Sequence, residues 1–404
     1  MSERPVDVLV AGGGAVGAAL ALALARERFD VVLVDGRAPA AFDTADVDLR
    51  VFAVSPASAA LLTRLGAWDR VAALRVSPYR RMRVWEQGAA DELSFDAALV
   101  GAPQLGHIVE ERALRAGLWA ALDAGAGVRR VCPARVVRCE PGSGDSRVEL
   151  DDGSRWRARL VVAADGAQSP LREAARLGLD IMPYGERAVV AHVRTERPHE
   201  ATAWQRFTPA GPLALLPLVD GRVSVVWSLR DARATSMLAL DDAAFVDAIT
   251  DASGARLGRV QATSPRAAFP LRMQLARHYA ASRLALVGDA AHTVHPLAGQ
   301  GLNLGLLDAA ALSEVLAAAA AAGADLGAPA VLARHDRWRR GEVARAAHAF
   351  GLLDGLFRSD FGPLPLLRRA GMGLVQRIGP LKREFALHAS GFAGRVPVLA
   401  RRLS

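Results

Sequence analysis

Residues 6–10, apolar apart from Asp7, form a run too short for a helix and closed by glycines, which reads as a buried strand. The Ala/Leu-rich stretch over 15–28 predicts a helix, and the aliphatic run 31–34 a second strand. Ser55 and Pro56 suit a helix N-cap and first helical position, with Gly66 as the stop. An amphipathic helix is predicted over 110–124, ending near Gly125. Residues 147–150 and 155–162 flank Asp151-Asp152-Gly153-Ser154, a hairpin signal. Ser169-Pro170 repeats the cap-and-proline start, with Gly178 as its stop. From about 187 to 229 the period changes. Runs at 189–195, 203–207 and 223–229 alternate or are rich in β-formers, broken by Pro, Gly and Asp, and predict an antiparallel sheet. Strand–helix texture returns after Leu271: apolar 284–287 precede a long Ala/Leu-rich helix starting near Gln300, which contains the low-complexity run 317–322.

This order predicts an α/β fold. A Rossmann-like dinucleotide-binding domain is expected in two pieces, 1–183 and 271–345, with an antiparallel sheet domain inserted over 184–270 and a basic helical segment over 346–404. The chain has 404 residues, 51% hydrophobic and 23% charged, which suits a globular protein with a large core. Cys132 and Cys139 form neither a CxxC pair nor a metal-like cluster, so no structural metal or disulfide scaffold is expected and a reducing cytosol is the default.

The net charge is +8, and all 50 basic residues except Lys382 are arginine. This bias does not indicate nucleic acid. Residues 355–404 hold nine basic side chains and only two acids, Asp360 and Glu384, so nearly all the excess charge lies in the tail. A basic, apolar, partly helical tail suits an anionic membrane surface, and equally a helical cap with a solvated arginine face. Residues 8–25 carry no charge, but their glycines, clustered at 12–17, and the strand that follows argue against a signal peptide or a spanning helix. No other stretch reads as long and apolar enough to span. The expected location is cytoplasmic, at most peripheral on the inner membrane.

Gly12-Gly13-Gly14-Ala15-Val16-Gly17 satisfies G-x-G-x-x-G between a strand and a helix. Gly12 permits the tight turn, Gly14 the approach of a pyrophosphate, and Gly17 close helix–strand packing. Asp35 ends the second strand and can accept from an adenosine ribose; it disfavours a 2′-phosphate. These residues predict a dinucleotide site without choosing between FAD and NAD. Asp165-Gly166 and Gly288-Asp289 each follow an apolar strand. The helix starting near Gln300 presents unpaired amides and a positive dipole end, a receptor for ligand negative charge. His292 and His295 are possible proton acceptors, or simply braces of the loop between them.

The run His295-Pro296-Leu297-Ala298-Gly299-Gln300-Gly301-Leu302-Asn303-Leu304-Gly305-Leu306-Leu307-Asp308 resembles the signature of the UbiH/UbiI/UbiF family of flavoprotein hydroxylases of ubiquinone biosynthesis at every position. The resemblance extends over essentially the whole chain. It implies a Rossmann-like FAD-binding domain with an inserted β-sheet substrate domain. It implies FAD held by Gly12, Gly14, Gly17, Asp35, Asp165, Gly166, Gly288, Asp289, Gly299, Gln300, Gly301, Leu302 and Asn303. Asp289 would grip the ribityl chain, and Asp165-Gly166 would lie near both the flavin and a pyridine nucleotide. Arg50, in a segment similar to the family's Asp-x-Arg, and Arg112 would lie near the cofactor; Glu111 departs from the family's asparagine. Trp204, Arg206 and Leu215, in a segment similar to the family's substrate domain, would line the floor over the flavin. The backbone around Pro296 would face the reacting centre, which makes His295 and Pro296 the catalytic candidates.

The implied reaction is hydroxylation of a polyprenylated phenol by dioxygen through a flavin C4a-hydroperoxide, with the protein supplying a dry, shaped, electrostatically prepared pocket. NADH, NADPH or a protein reductant would deliver electrons transiently, since only one glycine fingerprint exists. An anionic membrane surface and other proteins of ubiquinone biosynthesis are the implied partners. Three alternatives stay open: a flavin hydroxylase of a small soluble phenol or secondary metabolite, a lipid-binding escort of the same fold, and an NAD dehydrogenase without bound flavin. A flavin halogenase is disfavoured because no Trp-x-Trp-x-Ile-Pro segment is present.

Overall fold

The structure, a computed structural model, describes residues 4–45, 47–88, 92–125, 127–294, 300–358 and 364–403. Among these the strands assemble into three sheets. The first has a parallel core in the order Leu284–Leu286, Arg155–Ala163, Arg4–Ala11, Val31–Val34, Arg129–Val131. The hairpin Ser146–Leu150 pairs antiparallel with Arg155–Ala163. Parallel strands are covered on both faces. Val8 and Val10 face the helices Ala15–Arg26, Glu111–Asp123 and Gln300–Ala321, whereas Leu9 and Ala11 face a layer containing Trp156, Leu171, Tyr279 and Val343.

The helix Gln300–Ala321 is, among the described residues, long and apolar enough to cross a membrane, with a mean hydropathy of 1.6. This corrects the expectation that no stretch beyond 8–25 has that length and composition. Its most apolar window is 61% buried, packed against the fingerprint helix Ala15–Arg26.

The second sheet runs His292–Thr293, Ala267–Ala276, Leu179–Thr195, Val223–Arg230, Gly211–Pro217, Thr202–Thr208, Arg81–Glu86, Glu92–Asp96. It is antiparallel except where Arg81–Glu86 runs parallel to Thr202–Thr208. Strands from outside 184–270 thus join it at both ends. One face is covered by the helices Asp231–Ala239 and Asp242–Ser253, whose Met237, Phe245 and Ile249 pack on Val189, Leu215, Val225 and Trp227. The other face turns towards the third sheet (Val51–Val54, Gly106–Glu110, Val76–Tyr79) and is called the inner wall below.

The helices Pro329–Arg358, Leu364–Arg377 and Gly379–Ala389 follow. The second lies along the edge strand Glu92–Asp96, where Gln376 Oε1 accepts from Ser94 N at 3.0 Å. Near the end of Pro329–Arg358, the Phe357 ring stacks on Phe207 of the inner wall with centroids 3.6 Å apart. An open sheet edge is a template for stray pairing, and this helix covers it.

Candidate active site

The ends of Arg4–Ala11, Arg155–Ala163 and Leu284–Leu286 bring three separate motifs to one edge of the parallel sheet. Ala164 N donates to Ala11 O at 2.8 Å and Val287 N to Ala163 O at 3.0 Å. Gly12 has φ +107°, and a Cβ there would lie 2.2 Å from Ala164 O. At Gly17 a Cβ would meet Gly12 O at 1.9 Å, whereas at Gly14 it would meet nothing within 4 Å. The turn is therefore closed on its protein side and open at Gly14, where a pyrophosphate has room to approach.

Asp35 is already engaged. Its Oδ2 accepts from Gly13 N at 2.5 Å, and its Oδ1 from Arg37 N at 2.8 Å and from the Arg115 guanidinium at 3.1 Å. Trp119 Nε1 donates to Gly13 O at 2.8 Å. A carboxylate has about four acceptor sites, so capacity for a ribose hydroxyl remains. The groups present fit the adenosine end of a dinucleotide. Arg115 and Trp119, one turn apart on Glu111–Asp123, lay among ordinary amphipathic-helix positions and carried no motif.

Gly166 has φ +92°, and the Asp165 side chain sits beside it, mostly buried, with Oδ1 unpartnered among the described residues. Burial pushes the Asp165 carboxyl up, against the Ser169 hydrogen bond. Arg172, buried in the short helix Pro170–Ala174, donates to Ala167 O at 3.0 Å and to Ala290 O at 2.9 Å. It ties the Asp165-Gly166 segment to the Gly288-Asp289 segment, and no motif pointed to it. Asp289 itself is exposed. The short strand His292–Thr293 follows it and pairs with Ala267–Ala276, so this loop joins the two large sheets.

Beneath the loop lies Asp308, fully buried. Its Oδ2 accepts from Gly288 N at 3.0 Å and from His292 Nε2 at 2.5 Å; its Oδ1 accepts from Arg339 Nε at 2.7 Å. Burial pushes the Asp308 carboxyl up, but His292 and Arg339 outweigh it and hold it well below the ordinary carboxylate range. Burial lowers neighbouring His335. Asp308 closes the signature run and is the one charged residue between His295 and Glu314. A lone charge in an apolar helix is the signal that would have singled it out.

Gln300, Gly301, Leu302 and Asn303 form the first described turn of Gln300–Ala321. Amides of a first helical turn have no carbonyl one turn earlier and remain free for a ligand. The Asn303 side chain works differently. Its Oδ1 accepts from Ser55 N at 2.9 Å and Ser58 Oγ at 2.8 Å, and its Nδ2 donates to Ala53 O at 2.8 Å. It braces the helix against the end of Val51–Val54 and the residues that follow. Gly305 permits the same close approach: a Cβ there would meet Gly288 Cα at 3.0 Å. His295, Pro296 and Gly299 lie outside the described residues.

Arg50 and Arg112 meet at Asp48. Asp48 accepts from Arg50 N at 3.0 Å and from Arg112 N at 3.2 Å, and its own N donates to Glu110 Oε2 at 2.9 Å. Both arginine side chains are exposed at the mouth between sheets. Glu110 pairs with Arg75 at 3.1 Å, and burial raises its carboxyl.

Trp204, Arg206 and Leu215 lie in the expected strands, but on the helix-covered face. Trp204 and Leu215 pack in the outer core, and Arg206 donates to Ala252 O at 2.8 Å at the end of Asp242–Ser253. Alternation places Gln205 and Phe207 on the inner wall instead, with Ala214, Val226 and Val84 in register. These three therefore hold the sheet to its covering helices, and the wall residues are their chain neighbours.

Residues 5–342 match the model of the FAD binding domain family. The chain is 40% identical to ubiquinone hydroxylase UbiL of Rhodospirillum rubrum, over 96% of this chain and 90% of the relative. It is 38% identical to 3-demethoxyubiquinol 3-hydroxylase of Escherichia coli K12, over 97% of this chain and 100% of the relative. Among solved structures, p-nitrophenol 4-monooxygenase PnpA of Pseudomonas putida superposes with a TM-score of 0.78 at 20% identity, covering 97% of this chain and 99% of the other.

Proposed function

The chain belongs to the family of FAD-dependent monooxygenases that includes the ubiquinone-biosynthesis hydroxylases, and from that premise we propose that it hydroxylates the ring of a polyprenylated phenol. In the balanced reaction an aromatic C–H becomes C–OH, one atom of dioxygen enters the ring, and the other leaves as water with two electrons and two protons from a reductant. The observation that carries the reading is the meeting of the glycine turn, Asp35, Asp289 and the Gln300–Asn303 amides at one sheet edge, opposite an apolar wall. FAD, when bound, supplies electron storage and the activation of dioxygen.

The chain's own residues do the rest. Gly12, Gly14 and Gly17 leave room for the pyrophosphate, and Asp35 holds the ribose. Asp289, exposed on a loop held from below by Asp308 and Arg172, is placed to take ribityl hydroxyls. Asp165 and Gly166 border the same groove. Amides of Gly301 and Leu302, at the start of the helix, would hold negative charge on the flavin when it is bound. The wall around Phe207, Ala214 and Val226 excludes water and receives an apolar ring. Arg50 and Arg112, exposed beside Asp48, are proposed to meet a phosphate of the cofactor or of NADH or NADPH, the proposed two-electron donors.

The protein is proposed to work in the cytoplasm, peripheral to the inner membrane. Leu374, Ile378, Leu381 and Phe385 are 37–55% exposed on the last helices, with exposed Arg377 and Arg383 beside them. Apolar and basic side chains in one segment suit an anionic bilayer, where a polyprenylated substrate resides.

The test is oxygen uptake by the purified yellow protein with NADH or NADPH and a short-chain prenylated phenol. Hydroxylated product equal to oxygen consumed is expected. Hydrogen peroxide without product, with or without the phenol, would overturn the reading. A quinone profile of cells lacking the protein names the ring position from the intermediate that accumulates.

A further inference from the structure

The inner wall is apolar row by row. Val190, Val226, Ala214 and Val84 follow one another across it in register, with Gln205 between the last two. One row nearer the turn, His192 stands opposite Ser224, and Leu216 follows. Residues opposite each other on antiparallel strands share a face, with Cβ atoms about 4.5–5.5 Å apart. His192 is 1% exposed and Ser224 is fully buried. Yet among the described residues neither His192 Nε2 nor Ser224 Oγ has a hydrogen-bond partner. Buried polar atoms are nearly always paired, so two orphans side by side on an apolar wall require a reason.

Their surroundings supply one. Asp48 and Arg75, from the segments that lead into the third sheet, lie close enough to act on the imidazole, together with Asp220 and Arg222 from the adjoining turn. Burial first, then Arg222, lowers His192 to about 4, so the ring is neutral at neutral pH. A neutral imidazole nitrogen that accepts and a hydroxyl that donates together complement one hydroxyl that does both.

We propose that His192 and Ser224 form a polar subsite in the apolar wall that takes the hydroxyl of the substrate's phenol ring, the phenol donating to His192 Nε2 and accepting from Ser224 Oγ. The assignment rests on the reading of the protein as a phenol hydroxylase. It makes these two residues determinants of which ring is accepted and how it is turned.

The experiment titrates the FAD-bound full chain with 2-prenylphenol and with prenylbenzene, following the shift in flavin absorbance. The unmodified protein should bind the phenol at least about tenfold more tightly. Ser224→Ala and His192→Leu should each remove about tenfold of phenol affinity and leave prenylbenzene unchanged. Neither should lower Tm, because each deletes an unpaired buried group rather than a bond. Equal weakening of both probes would make the pair mere packing, and no change in either would make it the seat of a water; both results overturn the subsite while leaving the hydroxylase reading intact. If His192→Leu does not fold, Ser224→Ala decides alone. If the unmodified protein retains FAD but binds neither probe, the hydroxylase reading falls and the subsite with it.

Discussion

The braces under the cofactor loops and the inner wall of the second sheet use polar side chains in opposite ways. Around the parallel sheet three side chains that brace the cofactor loops are committed to the protein: Asp308 to Gly288, His292 and Arg339; Asn303 to Ser55, Ser58 and Ala53; Asp35 to Gly13, Arg37 and Arg115. On the inner wall of the second sheet His192 Nε2 and Ser224 Oγ are left without partners among the described residues. A cofactor site held by its own hydrogen bonds is organised before the cofactor arrives. A substrate wall with open valences is completed by what binds it. The contrast predicts that substitutions in the first region damage the fold and cofactor retention together, while those in the second change ligand choice.

The largest effect is expected at Gly17. In Gly17→Val the Cβ falls 1.9 Å from Gly12 O, so strand and helix must separate. Purified protein should lose bound FAD and at least ~4 kcal/mol of stability; retention of flavin at an unchanged Tm would break the comparison. Asp308→Asn comes next. It leaves the Arg339 guanidinium buried without its anion, at a cost of ~3–5 kcal/mol in denaturant unfolding. The same carboxyl, held below its ordinary range, contributes its stability at all pH above about 4 and loses it only in stronger acid. Asn303→Ala should cost ~1–3 kcal/mol and weaken FAD binding, since three hydrogen bonds to the neighbouring segment go at once.

The second region gives smaller and more selective signals. His192 is lowered from 6.5 to about 4, so between those values the unfolded chain binds a proton that the folded chain refuses. Its contribution is complete above pH 6.5 and drains away as the pH falls towards 4. His192→Leu should therefore flatten the loss of Tm across that window; an unchanged slope would assign the loss to His107 and His335, which burial also lowers. The smallest effect is expected at the last helices. Leu374→Ser with Phe385→Ser should reduce co-sedimentation with anionic vesicles about tenfold and leave turnover of a soluble phenol unchanged. Equal sedimentation would remove the peripheral-membrane proposal.

Much of the parallel sheet was legible in the residues. Gly12 and Gly17 mark places where backbone touches backbone, and such requirements appear in the sequence directly. The inner wall was harder to read. The strand around Trp204 has large side chains on both faces, because helices cover one and the ligand side is the other, so its alternation does not reveal which is which. A motif match found the strand but placed Trp204 and Arg206 on the wrong side of it. The pairing of Arg81–Glu86 with Thr202–Thr208 joins segments over a hundred residues apart, and no local pattern encodes it. Arg339 and Arg172 were hidden among 49 arginines, although Asp308, a solitary carboxylate in an aliphatic helix, implied a buried cation for it.

The bond between Gln376 and Ser94, with Phe357 resting on Phe207, bears on how the carboxy-terminal portion can be studied. Cutting the polypeptide before these residues strips the last strand of its cover and exposes a ladder of free amides and carbonyls to other molecules. A shortened protein that precipitates, or that no longer reaches vesicles, would report on that uncovered rim as much as on lost lipid contact. Point changes on the outward side of the final helices keep the rim shielded and separate the two causes.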